Sequence, residues 1–189
     1  MQRPHLGFQP TTLPQKAARN LTLTQTRIPV LYQEKKLKTI SVTTYIPSPP
    51  DVVWKILTDF PTYVDWNPFI TRASGDPQIG NKLSIRIVPP GGGGMTFRPR
   101  VTAVEPGQLL EWFGTLGVQG LFDGRHAFVL KPTAGGTTLT QTETFSGLLV
   151  PLMTGVLQRT KKGFENMNNA LLSRAGSWPS ASTQPEAPE

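Results

Sequence analysis

Cysteine is absent from the 189-residue chain, which excludes disulfides, thiolate zinc sites, iron-sulfur clusters and a cysteine nucleophile. Histidine is scarce: only His5 and His126 occur, and His5 sits near prolines, so a histidine-built catalytic zinc is not expected. No uninterrupted apolar run approaches the ~20 residues of a membrane-spanning helix, and the first thirty residues carry no apolar block of the secretory type. No membrane span is expected, and the chain reads as a soluble, cytoplasmic protein. Acidic residues are missing before Glu34, while Arg3, Lys16, Arg19 and Arg27 lie there with several threonines, a composition shared with organelle transit peptides. Pro4, Pro10, Pro14 and Pro29 would interrupt the amphipathic helix such a peptide needs, which favours a disordered basic arm over residues 1–37.

What is present fits one domain of ordinary size with tails. Hydrophobic residues at 37% suffice for a core, and 18 glycines with 19 prolines call for many turns. The net charge of +7 divides unevenly: +6 over residues 1–40, +3 over residues 41–174 and −2 beyond. Because a nucleic-acid-binding domain concentrates positive charge on its folded surface, no nucleic-acid partner is expected. Residues 176–189, rich in Ser, Pro and Glu, read as a disordered tail.

Between these ends, Ile40, Val42 and Ile46 alternate with Thr39, Ser41, Thr43 and Tyr45, as in a half-buried strand. Ser48-Pro49-Pro50-Asp51 offers a capping hydroxyl, a proline at the first helical position and an acid, ahead of Val52, Val53, Ile56 and Leu57 at helical spacing. A second helical turn begins at Pro61 and breaks at Trp66-Asn67-Pro68. Strand-like runs follow at 69–75, 82–88, 95–104, 108–116, 121–131 and 137–146, separated by Gly and Pro clusters, an antiparallel meander. Gly91 to Gly94 has no Lys-Ser or Lys-Thr after it, so it reads as a hairpin tip rather than a phosphate loop. After Gly147 the period changes: Leu149, Leu152, Met153, Val156, Leu157, Phe164, Met167 and Leu171 recur at helical steps, predicting one long helix that ends near Arg174. Pro151 suits its first turn, while Gly155 and Gly163 suggest close packing or a bend.

Several segments in this order are family-like: Val53-Trp54; Thr58-Asp59-Phe60 and Tyr63 leading to Trp66-Asn67-Pro68; Gly80; Glu105-Pro106; Leu110-Glu111-Trp112; Phe122 through Phe128; Glu143 through Gly147; and Gly163 through Asn168. Together they resemble the SRPBCC (START-like, helix-grip) superfamily, in its polyketide cyclase/dehydrase-like group, over residues 38–175. The resemblance implies an α+β helix-grip fold: a curved seven-stranded antiparallel sheet around a long C-terminal helix, with two short helices after strand one. It also implies an apolar cavity that takes a hydrophobic small molecule, lipid-like or polyketide-like. Residues 1–37 have no counterpart in that pattern.

Strand parity selects the polar groups that share the inner face. Thr138, Thr140, Thr142 and Thr144 form one face of the last strand, leaving Leu139, Gln141, Glu143 and Phe145 on the other. His126, Phe128 and Leu130 are in phase on the preceding strand, and Trp112 is in phase with Leu110 while Glu111 faces out. A turn over Pro132 to Gly136 sets directly opposed residues to sum to 269, so His126 is expected to face Glu143, and Phe128 to face Gln141. An ionised carboxylate among apolar groups needs a partner. Three roles for Glu143 with His126 stand open: a structural pair, a polar anchor for ligand, or a general acid/base. Expected ligand-binding residues are Trp66, Asn67, Phe97, Trp112, His126, Phe128, Gln141, Glu143, Phe164 and Met167, with His126 and Glu143 the catalytic candidates. For Trp66 the favoured reading is packing on the small helices, and for Asn67 a turn before Pro68, with a place at the pocket mouth the lesser reading of each. Neither a metal nor another cofactor is expected, and the sequence carries no signal for oligomeric state. The leading functional reading is binding of a hydrophobic small molecule. The alternatives are a polyketide cyclase/dehydratase-type enzyme and an interaction module whose basic arm meets a protein or an acidic membrane surface.

Overall fold

The structure is a computed structural model and describes residues 37–178. The expected disordered arm and tail therefore lie outside the described residues, apart from Leu37 and residues 176–178. Strand β1 (Lys38–Ile46) is followed by helix α1 (Pro50–Thr58), a 3-10 turn (Phe60–Thr62) and the single-turn helix α2 (Tyr63–Trp66). Then come β2 (Ile70–Ser74), β3 (Ser84–Ile87), β4 (Met95–Phe97), β5 (Arg100–Glu105), β6 (Leu109–Thr115), β7 (Asp123–Thr133) and β8 (Gly136–Ser146). A 3-10 turn (Val150–Leu152) leads to the 23-residue helix α3 (Thr154–Gly176).

The strands form a five-stranded sheet of order β1-β8-β7-β6-β5 and a three-stranded sheet of order β2-β3-β4, antiparallel throughout. One expected strand, 95–104, is thus two. Pro99 has no N–H to give a ladder and disfavours continuation through Arg98, so the chain leaves one sheet at Phe97 and enters the other at Arg100. The break also joins the sheets, because Leu83 N–H donates to Pro99 O, Gly80 N–H to Val101 O and Val101 N–H to Asn81 O, each at 2.9 Å.

Ser48 does not cap α1. Pro49 occupies the cap position, and the Ser48 hydroxyl donates instead to Ala175 O at the far end of α3, while Ser48 O accepts from Thr137 Oγ1 at 2.7 Å. Pro151 belongs to a separate 3-10 turn rather than to α3. The two glycines of α3 differ: a Cβ on Gly155 would meet nothing within 4 Å, whereas one on Gly163 would run into the Phe69 ring. Close approach explains Gly163 only. The buried stripe of α3, Leu157, Thr160, Gly163, Phe164, Met167, Asn168, Leu171 and Ala175, packs on the sheets at three and four residue steps.

Candidate functional site

Register carries the site. On β7 and β8, Leu130 opposes Leu139, Phe128 opposes Gln141 and His126 opposes Glu143, the pairing that the turn arithmetic gives. The threonine face lies outward, where Thr144 and Thr140 bond to Thr39 and Thr43 of β1 at 3.0 and 3.1 Å. Glu111 also faces out, accepting from Thr102 Oγ1 and pairing with Arg125. On β6, Trp112 opposes His126 and Gly114 opposes Gly124.

The inner face of the large sheet is therefore layered. Leu110, Phe128 and Gln141 make one solid row, buried at 0% exposure. Trp112, His126 and Glu143 make the next. One pleat further, Gly114 and Gly124 face each other without side chains, and beyond them stand Leu116 and Phe122. The glycine row, which ends in Phe145 opposite Gly124, borders a cavity of about 160 Å³ lined by both glycines, Trp112, His126, Glu143, Phe122 and Phe145. Ile85, Ile87 and Phe97 line it from the small sheet, and Met153, Val156 and Thr160 from α3 and the segment before it. The apolar core falls into two clusters, one around Phe69, Trp112 and Phe128 and one around Phe122, Phe145 and Val150, and members of both line the cavity.

The polar end of this hollow is one buried group of side chains. The His126 ring lies parallel on Trp112, with centroids 4.7 Å apart and planes 4° apart, and meets Phe128 and Phe164 edge-on. Its Nδ1 is 3.6 Å from Glu143 Oε2 and its Nε2 is 3.3 Å from Gln141 Nε2. With the Gln141 amide donating to Nε2, the ring proton resides on Nδ1, on the side of the carboxylate. Gln141 Oε1 is buried without a partner. Turning the amide over would present that oxygen to an Nε2–H, the arrangement an imidazolium requires. Glu143 keeps 20% of its side chain exposed, and its carboxylate lies over Gly124, where a Cβ would sit 2.5 Å from Oε1. This arrangement can hold a proton between ring and carboxylate, or hydrogen-bond one polar group of an apolar molecule.

Of the residues expected from sequence, Phe97, Trp112, His126 and Glu143 line the cavity; Trp66, Asn67, Phe128, Gln141, Phe164 and Met167 do not. Asn67 is a turn residue: its Oδ1 accepts from the backbone of Phe69 and Ile70 at 3.0 and 2.8 Å. Trp66 packs edge-on to Tyr63 at 5.0 Å. Tyr63 is itself structural, its hydroxyl donating to Leu57 O at 2.7 Å, and burial, with the Asp59 charge second, pushes its phenol pKa up. Phe128, Phe164 and Met167 are core, and Gln141 reaches the site through His126, its amide also donating to Met167 Sδ. Sequence reasoning missed Gly114, Gly124, Phe122, Met153 and Thr160. The signal for the first two was available, since glycine inside a strand marks a bulge or a place kept open.

A family model described as "Polyketide cyclase / dehydrase and lipid transport" matches residues 38–173. The chain belongs to this family. Its solved structural relatives include a Mesorhizobium loti protein, MLL2253, 26% identical with a TM-score of 0.58 over 72% of this chain and 95% of that one. The Zhui aromatase/cyclase from Streptomyces sp. R1128 is 15% identical with a TM-score of 0.63, covering 78% of this chain and 98% of its own. Ara h 8.0201 is 18% identical with a TM-score of 0.58, over 75% and 99%. The last two are likenesses of fold. No curated protein matches the chain. The helix-grip architecture expected from the motifs holds for this member of the polyketide cyclase/dehydrase and lipid transport family, with eight strands in two sheets.

Proposed function

We propose that the protein binds an apolar small molecule in the hollow above Gly114 and Gly124, with His126 and Glu143 as its polar anchor. The observation that carries this reading is a cavity walled by aromatic and aliphatic side chains that converges on one imidazole and one carboxylate. Ligand sites have this composition: a mostly apolar lining with a few placed polar groups. At about 160 Å³ the hollow is small. An apolar cavity of ~150 Å³ takes a ligand of the size of benzene, so the buried part of the ligand is one ring or a short chain bearing a hydroxyl or comparable donor.

Family membership supports the coarser statement, an SRPBCC cavity protein of cyclase or lipid-transport type. The second reading, acid/base catalysis, rests on the His126–Glu143 juxtaposition, because a proton on Nδ1 points toward a carboxylate that itself lines the cavity. Native mass spectrometry of protein purified from its own source tests the binding reading. A co-purifying apolar ligand is expected, and its loss in a Gly114→Val variant ties it to the hollow. Retention of the ligand by that variant would place it elsewhere and sink the proposal. Conversion of the same ligand during incubation separates enzyme from binder.

A further inference from the structure

Ten large hydrophobic side chains are exposed among the described residues, and six of them lie on three segments around the cavity: Met95, Leu116, Val118, Leu121, Leu148 and Leu152. Hydrogen bonds tie two of these segments together, from Leu148 N–H to Gly120 O and from Leu149 N–H to Leu121 O. Met95 and Leu116 are the exposed members of the cavity lining, so the hollow opens among these side chains. Val118, Leu148 and Leu152 project furthest, at 72%, 67% and 79% exposure. Clustered apolar tips of this kind mark an interaction site.

Charge selects the partner. The segments that build this end carry Arg86, Arg98, Arg100, Arg159, Lys161 and Lys162 against Asp123, which is buried, Glu143, which lines the hollow, and Glu165, which pairs with Lys162, leaving a cationic excess at the surface. Arg86 lies against Gly94 and Arg159 near Gly92, at the glycine loop beside Met95, and neither has an acidic partner among the described residues. A second copy of the chain would bring two cationic rims together, which like-charge repulsion opposes. An anionic bilayer instead satisfies both features, taking apolar tips below its headgroups and cations at its phosphates. We infer that this end of the molecule docks on an anionic lipid surface, inserting Val118, Leu148 and Leu152 and placing Arg86 and Arg159 at the headgroups, so that the cavity mouth opens toward the acyl chains. Docking of this kind requires no ligand in the cavity.

The test is sedimentation of the full chain with vesicles of phosphatidylcholine alone or mixed with phosphatidylserine. Binding to the mixed vesicles, weakened by salt, is expected, together with a loss of about tenfold in the paired variant Leu148→Ser/Leu152→Ser. Both residues are exposed, so an unchanged melting temperature checks that the variant is folded. Absence of binding by the wild type would overturn the inference. Undiminished binding by the folded variant would also overturn it, assigning the lipid affinity to basic residues such as those of positions 1–40. A concentration-dependent dimer that the same substitutions abolish would replace the bilayer with a second copy.

Discussion

Gly114 and Gly124 oppose each other on β6 and β7, and a Cβ on either would enter occupied space: Pro99 Cβ at 3.3 Å for the first, Glu143 Oε1 at 2.5 Å for the second. The glycines let Pro99 and the Glu143 carboxylate sit close against the strands at the edge of the hollow, and the stacked Trp112 and His126 also line it. Gly114→Val adds three carbons to the lining. Displacing as many ligand atoms, at about 0.8 kcal/mol per buried CH2, is expected to weaken an apolar dye or ligand roughly fiftyfold. Gly124→Ala instead moves the Glu143 carboxylate off its seat, so it is expected to impair hydroxylated ligands more than plain hydrocarbons. Titration with a matched pair of such ligands reads the difference. Equal losses for both would show that Glu143 does not contact the ligand's polar group.

His126 and Glu143 are expected to differ in what they contribute to stability. His126→Ala removes a buried ring from between Trp112, Phe128 and Phe164 and strips Gln141 Nε2 of its acceptor, at a cost of about 2–4 kcal/mol. Glu143→Gln keeps the shape and loses a charge that is partly exposed at 3.6 Å, so its cost is below ~1 kcal/mol. Urea midpoints at constant slope measure both. Comparable costs would mean that the His126–Glu143 contact, rather than ring packing, is what the site depends on. In an enzyme, Glu143→Gln would lower kcat with little change in ligand affinity; in a binder only the affinity would move.

Much of this site is legible in the sequence because strands have a period of two. The phase of Leu139, Gln141 and Glu143 against the threonine row, together with the turn at Pro132 to Gly136, suffices for the His126–Glu143 pairing. Parity gives the face but not the depth. It cannot say that Gln141 and Phe128, one row below Glu143 and His126, are packed solid while the row above, Gly114, Gly124 and Phe145, borders the hollow. That distinction depends on what α3 and the small sheet bring across the gap, and on the two glycines. The break at Pro99 was likewise written in the chain, as a ring without an N–H inside an otherwise regular run, yet only the pairing of Leu83 with Pro99 shows that it hinges one sheet into the other.

Phe164 is the residue for which the ligand-binding and core readings part. It is fully buried, 5.5 Å edge-on from Phe69 and 5.0 Å from His126, and it does not line the hollow. Phe164→Ala is expected to cost ~3–5 kcal/mol, the range for a large ring in a dense core. Met167, one turn on and equally buried, is expected to tolerate Leu at below ~1.5 kcal/mol. A cost under ~2 kcal/mol for Phe164→Ala would mean that the ring borders open space rather than dense core.

The two glycines of α3 supply an internal control, since the same substitution meets opposite surroundings. At Gly155, in the first turn, a methyl group enters open space, and Ala recovers about 0.5–1 kcal/mol of helix propensity. The melting temperature is then expected to rise by roughly 1–4 °C. At Gly163 the same gain of ~1 kcal/mol is opposed by collision with Cγ, Cδ2 and Cε2 of Phe69, a buried ring held against Phe164. Overpacking of this kind costs ~1–3 kcal/mol, so stability is expected to fall. Phe69 also lines the hollow, and the direction open to it when α3 pushes is into that space. Gly163→Ala is therefore expected to lower both the melting temperature and the affinity for an apolar ligand, whereas Gly155→Ala raises the first and leaves the second unchanged. Stabilisation by both substitutions would show that Phe69 yields without cost and that the spacing between α3 and the site is not set by this glycine.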